Sequence, residues 1–343
     1  MVLFRRFLDE KRPKGTANSR ERRIRTMKHH HSLDVLFAAA RQERRCAIPA
    51  TNTDAKAVAR RVREGSVVRV FRGLYAERHY WNMLHNHDKL RHIVRALAKQ
   101  HPNWVFCGPT AAVMHGLDCS YRFLTPICIA APPGSHHRST KQLKRCPMSH
   151  PDVTVVDGVR VTSLLRTLFD CASTMSIRYA LAPLDSAMRN GKVSANVLLA
   201  YPSSVKYSRR RAQAQHVFDM ADGRSENGGE SEARGTLDMV GRPVHDIQSV
   251  FRCLDFPGRT HRVDFLWNRK DGTKIVGEFD GTRKYVDPDM TGRRTIQEVV
   301  DEERRRQHCL KRQNADTVRL YYDELDDLDA LVCKLDSHGV PHG

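Results

Sequence analysis

Apolar residues fall into helical spacing just after the first thirty positions. Ser32 is placed to cap a helix in which Leu33, Leu36, Phe37 and Ala40 share one face. A break at Ala47-Ile48-Pro49-Ala50 separates it from a second helix over Asp54–Glu64. There Val58 and Val62 form the apolar stripe, Lys56, Arg60, Arg61 and Arg63 are expected mainly outside it, and Gly65 ends the helix. The run Val67–Ala76 is short, β-branched and basic, with Gly73 at its bend, and predicts a β-hairpin. Two short helices and a basic hairpin match a winged helix-turn-helix over 31–84.

Residues 85–200 alternate helical and strand patterns and predict an α/β domain. Helices are expected at His87–Gln100, Pro109–Leu117, Ser163–Ala172 and Ile177–Asn190. Strands are expected at Trp104–Cys107, Pro126–Ala131, Val153–Val156 and Val159–Thr162, the last two joined by an Asp157-Gly158 turn. No nucleophile, base and orienting group support one another here, so His115 reads as a structural histidine. Residues 201–224 are polar and basic and read as a helical connector, with two alternatives open: a DNA-facing element or a solvated linker.

The sharpest chemistry lies in 225–343. A helix starting near Glu226–Glu230 carries Glu230, Glu232 and Arg234, and a strand carries Arg262–Trp267. After an Asp271-Gly272 turn, a second strand runs from Lys274 to Gly281. Alternation puts Glu278 and Asp280 on one face, opposite Phe279, with Asp264 on the partner strand. Carboxylates brought this close repel one another, and a hard cation relieves the repulsion; magnesium is the default for phosphate chemistry. The metal set is therefore Asp264, Glu278 and Asp280, with Glu230 acting through a water. Lys284 is placed to act on a scissile phosphate and Arg306, on a basic helix over Glu298–Gln313, to steady it. A further strand is expected at Thr317–Tyr322. The competing reading of the acids is a solvated hairpin face balanced by arginines.

Charge supports an anionic partner: 58 Lys and Arg against 39 Asp and Glu give a net +19 over 343 residues. Ten of the basic residues and three of the acids lie in 1–30, a basic arm expected to be disordered. That arm either touches phosphates or precedes a second start at Met27, and His29-His30-His31 is too short to argue for a metal. No apolar run approaches the ~18 residues of a spanning helix, and the N-terminus lacks a secretory pattern. The nine cysteines show no CxxC spacing, which argues against both a zinc site and a disulfide framework and for a cytoplasmic setting.

The C-terminal motifs resemble the PD-(D/E)XK nuclease superfamily, and more closely its branch related to very-short-patch-repair endonucleases. Glu278-Phe279-Asp280-Gly281-Thr282-Arg283-Lys284 is similar to that branch's Glu-x-Asp-Gly-x-x-His or Lys strand. Glu230-Ser231-Glu232-Ala233-Arg234 fits its Glu-Ser-x-x-Arg helix, and Arg262-Val263-Asp264 its Arg-x-Asp strand. Glu303-Arg304-Arg305-Arg306-Gln307 is similar to its Glu-Lys-x-Arg-Glu helix. Asp280 stands where the wider superfamily has lysine, and Gln307 replaces the usual acid. Residues 32–76 resemble the winged helix of AbiEi-type antitoxins, and 104–190 the domain following it, through His115-Gly116-Leu117, Asp157–Ser163, Arg166-Thr167-Leu168 and Asp170. That second resemblance implies a DNA-binding autorepressor that neutralises a nucleotidyltransferase-like toxin.

The expectation is thus an α/β multidomain protein: winged helix-turn-helix, α/β middle domain, and a restriction-endonuclease-like mixed sheet flanked by helices. The expected activity is Mg2+-dependent hydrolysis of double-stranded DNA. Lys56, Arg60, Arg61 and Arg63 would serve the recognition helix and its edge, and Arg69 and Arg72 the wing. The alternative is an AbiEi-like repressor whose nuclease fold is inactive. DNA versus RNA, and the oligomeric state, stay open.

Overall fold

The computed structural model describes residues 31–136, 138–205, 210–256, 258–280 and 296–343; the basic arm lies outside them. The chain is a mixed α/β multidomain protein. Its first unit is built from α1 (His31–Gln42), α2 (Asn52–Arg63), β1 (Val67–Phe71) and β2 (Leu74–Glu77). The Thr51 hydroxyl oxygen accepts the Asp54 N–H at 3.1 Å and starts α2 two residues earlier than expected. Leu33, Phe37, Ala40, Ala57, Val58 and Val67 form a small separate core. Arg61 departs from the expectation. It is 7% exposed and donates to Asp34 at 3.0 Å, clamping α2 to α1. The reason is its phase: Arg61 lies three and four residues after Val58 and Ala57, on the buried stripe itself.

The middle unit follows α3 (Arg78–Met83) and contains α4 (Asn86–Gln100), α5 (Gly108–Met114), β3 (Ile127–Ala131), β4 (Leu143–Pro147), β5 (Val153–Val156) and β6 (Val159–Thr162). β3 pairs with β4 in parallel, and β5 with β6 antiparallel. Asp157 and Gly158 both have positive φ, as a two-residue hairpin turn of this hand requires. The expected strand at Trp104–Cys107 is reduced to a bridge. Phe106 N–H donates to Arg160 O at 2.9 Å and Ala130 N–H to Val105 O at 2.8 Å, so the segment joins the two ladders. Its backbone is shared between both neighbours, which leaves no continuous pairing with either.

Helices α6 (Leu164–Thr174), α7 (Ile177–Arg189), α8 (Ala195–Ser204) and α9 (Arg211–Met220) complete this unit. Helix α9 lies within the expected helical connector and is docked along one face. Its Ala214, Val217 and Phe218, at i, i+3 and i+4, are fully buried in the middle core. A polar stretch with three correctly phased apolar residues is enough to dock a helix.

The C-terminal unit comprises α10 (Gly228–Met239), β7 (Asp246–Arg252), β8 (Thr260–Asn268), β9 (Lys274–Asp280), α11 (Ile296–Lys311), β10 (Ala315–Tyr321) and α12 (Leu328–Ser337). The sheet order is β10-β9-β8-β7, with β10 parallel to β9 and the other pairs antiparallel. One sheet face packs Phe265, Trp267, Ile275 and Phe279 with Leu237 of α10 and Leu331 and Leu335 of α12. The other packs Val263, Leu266 and Val276 with Leu310 of α11. Gly277 permits this density: a Cβ there would lie 2.9 Å from the Trp267 ring and 3.1 Å from Phe265 Cβ.

The C-terminal unit is fastened to the middle one by α10 against α7. A Cβ on Gly235 would meet the Ile177 carbonyl oxygen at 2.7 Å, so only glycine allows this approach. Alongside, Arg234 donates to both carboxylate oxygens of the fully buried Asp185 at 2.8 and 2.7 Å. Among the described residues, no helix is long and apolar enough to cross a membrane.

Candidate active site

The ladder between β8 and β9 runs from Asn268↔Lys274 to Phe265↔Gly277 and stops there. The next residues, Asp264 and Glu278, face across the opening. Asp264 fills part of it by accepting the Phe279 N–H at 2.8 Å, a side-chain bond in place of a strand bond. On β9, Glu278 and Asp280 share the face of Val276, which packs toward α11, while Phe279 packs on the opposite side. The expected common face of Glu278 and Asp280 is therefore present. Arg306 of α11 donates to Glu278 and, at 2.6 Å, to the Arg262 carbonyl. Arg319 sits opposite Glu278 in the β9–β10 register; it pairs with Asp280 at 3.3 Å and with Glu303 of α11.

Glu230 enters from the first turn of α10. Asn227 caps that helix by accepting the Gly229 and Glu230 N–H groups at 2.9 and 3.1 Å. Glu230 in turn accepts from Asn227 Nδ2 at 2.7 Å and from the Glu226 N–H at 2.8 Å. The residue that links it to the strands is Gln248 of β7, which the sequence pattern did not single out. Its Nε2 reaches Glu230 at 3.0 Å and Asp264 at 3.5 Å. Gln248 has φ +53°, a left-handed conformation uncommon for this residue type. It lies between the pairs Ile247↔Phe265 and Ser249↔Val263, opposite Asp264, and interrupts the ladder without shifting its register. Gln248 Oε1 is buried with no hydrogen-bond partner among the described residues.

Burial pushes Glu230 up to about 7, with Asp264 and Glu226 adding to the effect and the Glu226 N–H and Gln248 opposing it. Burial likewise raises Glu278 to about 7; Arg306 opposes this, while the Asp264 and Glu303 charges add to it. These are acids held near neutrality by their surroundings, the condition that a bound cation reverses. The expected tight convergence of carboxylates is not reached. Among the described residues, the only group of three or more His, Cys, Asp or Glu whose donor atoms all lie within 4.8 Å of one another is Cys253, His261 and Cys309. Glu278 and Asp280 are drawn instead toward Arg306 and Arg319. Magnesium keeps several waters and takes only one or two carboxylates, so a site with Asp264, Glu278 and the orphaned Gln248 oxygen has hard donors of the kind it would need. Lys284 lies outside the described residues.

At the other end of the chain, Lys56, Arg60, Arg63, Arg69 and Arg72 are exposed on α2 and the hairpin, whereas Arg61 points inward. Arg60 is 3.9 Å from Glu64, a loose surface pair. His115 hydrogen-bonds the Thr162 carbonyl at 2.8 Å and so ties the end of α5 to β6.

No family model matches the chain. It is similar to two uncharacterized proteins of Mycobacterium tuberculosis, one from strain CDC 1551 / Oshkosh and one from strain ATCC 25618 / H37Rv. Each is 26% identical over 227 residues, which cover 66% of this chain and 78% of the relative.

Proposed function

We propose that the C-terminal unit is a magnesium-dependent DNA endonuclease of the PD-(D/E)XK type, brought to duplex DNA by an N-terminal winged helix. The observation that carries this reading is the opened β8–β9 ladder, where Asp264 and Glu278 face each other at the end of a mixed sheet. Asp264 and Glu278 would hold Mg2+, and Asp280 would complete its surroundings or position the attacking water. The ion, when bound, would polarise the scissile phosphate and ease deprotonation of water. Glu230, poised near neutrality, would take up a proton through a water. Gln248 would hold Glu230 and Asp264 in register with each other. Arg306 would exchange Glu278 for a phosphate oxygen once the cation takes over that carboxylate. Lys284 would act on the phosphate, as the family resemblance implies.

DNA would be gathered by Lys56, Arg60 and Arg63 on the recognition helix and by Arg69 and Arg72 on the wing. Plasmid nicking by the purified chain tests the activity: relaxation that requires Mg2+ and stops with chelator is the expected result. One observation favours a second reading. Glu278 and Asp280 are each neutralised by an arginine, a stable arrangement that needs no cation. On that reading the fold is an inactive module of an AbiEi-like autorepressor, whose partner would be a nucleotidyltransferase-like toxin. Operator binding with no nicking at any Mg2+ concentration would select it.

A further inference from the structure

On the far side of β8 from its junction with β9, three side chains without a role in the proposed nuclease chemistry come together. Cys253 follows the last residue of β7, His261 lies on β8 opposite Phe251, and Cys309 lies on α11. Their donor atoms all lie within 4.8 Å of one another, and the two sulfurs are 3.7 Å apart. Tetrahedral zinc with bonds of about 2.3 Å to sulfur requires a sulfur–sulfur separation of about 3.8 Å. The spacing is therefore that of one edge of a zinc tetrahedron, and far longer than the ~2.05 Å of a disulfide.

The surroundings of the donors suit a metal site. Cys309 is 1% exposed, and its sulfur accepts the Leu254 N–H at 3.2 Å and the Gln313 amide at 3.6 Å. His261 Nε2 is buried and has no hydrogen-bond partner among the described residues. A buried, unpaired ring nitrogen is costly unless something occupies it. Cys253 and His261 also line a surface cavity of about 460 Å³, which leaves room for a water as fourth ligand.

We infer that Cys253, His261 and Cys309 bind one zinc ion, which pins the β7–β8 turn to α11. The absence of CxxC spacing hid the site because its ligands come from three separate elements. The consequence is mechanical: α11 also carries Arg306 and Glu303, so a staple at Cys309 fixes the helix whose arginine reaches Glu278.

The test uses the full chain purified under reductant from zinc-replete culture, with metal measured by mass spectrometry and then replaced by Co2+. The expected result is one zinc per chain retained through gel filtration. The cobalt form should show thiolate charge-transfer bands and the intense visible bands of a tetrahedral ion. Cys253→Ser and His261→Gln should each weaken zinc binding by at least ~100-fold, measured by chelator competition, and Cys253→Ser should roughly halve the charge-transfer intensity. Cys333→Ser, an exposed cysteine on α12, should change nothing. Chelator should lower the melting temperature of the wild type and leave that of Cys253→Ser unmoved. Zinc-free wild type that does not take up Zn2+, or unchanged affinity in folded Cys253→Ser and His261→Gln, would overturn the assignment. A Cys253–Cys309 disulfide in the freshly isolated protein would also overturn it, in favour of a redox pair.

Discussion

Arg61 and Arg63 differ by two positions and by everything physical that matters to a charge. Arg63 is exposed; Arg61 is buried against Asp34. Arg61→Ala is therefore expected to lower stability by about 1–3 kcal/mol, the cost of removing a buried guanidinium and its bond to Asp34. It should leave the salt dependence of DNA binding unchanged. Arg63→Ala, Arg69→Ala or Arg72→Ala should do the reverse: near-neutral stability, and a salt slope reduced by about one for each phosphate no longer neutralised. Chemical denaturation and fluorescence anisotropy across a salt series read the two effects separately. The acids of the proposed nuclease site carry a second prediction. Glu230 and Glu278, with folded values near 7 against an ordinary 4.5, bind protons more tightly folded than unfolded. Their contribution to stability is complete below about 4.5 and is lost as pH rises through 7. Asp264, Glu226 and Glu303 oppose their ionisation, and Arg306 favours that of Glu278. Metal-free protein should melt at a lower temperature at pH 8 than at pH 5.5. Mg2+ should raise the melting temperature at pH 8 and do little at pH 5.5, as scanning fluorimetry would show.

At the scale of elements, strong period and good punctuation made structure readable. Helices α1 and α2, the β1–β2 hairpin, β5–β6 and β8–β9 were all legible, because each combines a clear apolar period with a cap or a Gly turn. Two strands were hidden for different reasons. Strand β4 is Leu-Lys-Arg-Cys-Pro, with little alternation to read. In β7 the left-handed Gln248 breaks the pattern at the position that matters to the site, and positive φ has no signature in a glutamine. Helix α9 reads as a polar, basic helical connector in sequence, and its docking rests on Ala214, Val217 and Phe218. The same contrast separates the two proposed metal-ligand groups. Glu278-Phe279-Asp280 announces itself by alternation on one strand, whereas Cys253, His261 and Cys309 meet only after the sheet has folded against α11.

For the whole molecule, the junction between the middle and C-terminal units is a packed surface and not a linker. Arg234 spans it with two bonds to the fully buried Asp185, and Gly235 lets the α7 backbone touch α10. In sequence, Arg234 reads as part of a nuclease-like helix motif; in the structure it fastens the C-terminal unit to its neighbour. Arg234→Met should cost about 3–5 kcal/mol, because it strands a buried carboxylate. Thermal unfolding should change from one transition covering both units toward two. Substituting Asp185 as well, with asparagine, should recover part of the loss. The net charge of +19 then has a structural frame: an exposed basic face on α2 and its hairpin at one end of the chain, and a group of carboxylates at the opened end of the β8–β9 ladder. DNA cleavage by this proposed site is best tested by plasmid nicking with the Asp264→Ala/Glu278→Ala double variant beside wild type. The expected result is Mg2+-dependent nicking by the wild type and a loss of at least ~1,000-fold in the variant, with DNA affinity kept or increased as like charge is removed. Equal nicking by the two proteins, or none by either while both bind DNA, would contradict it.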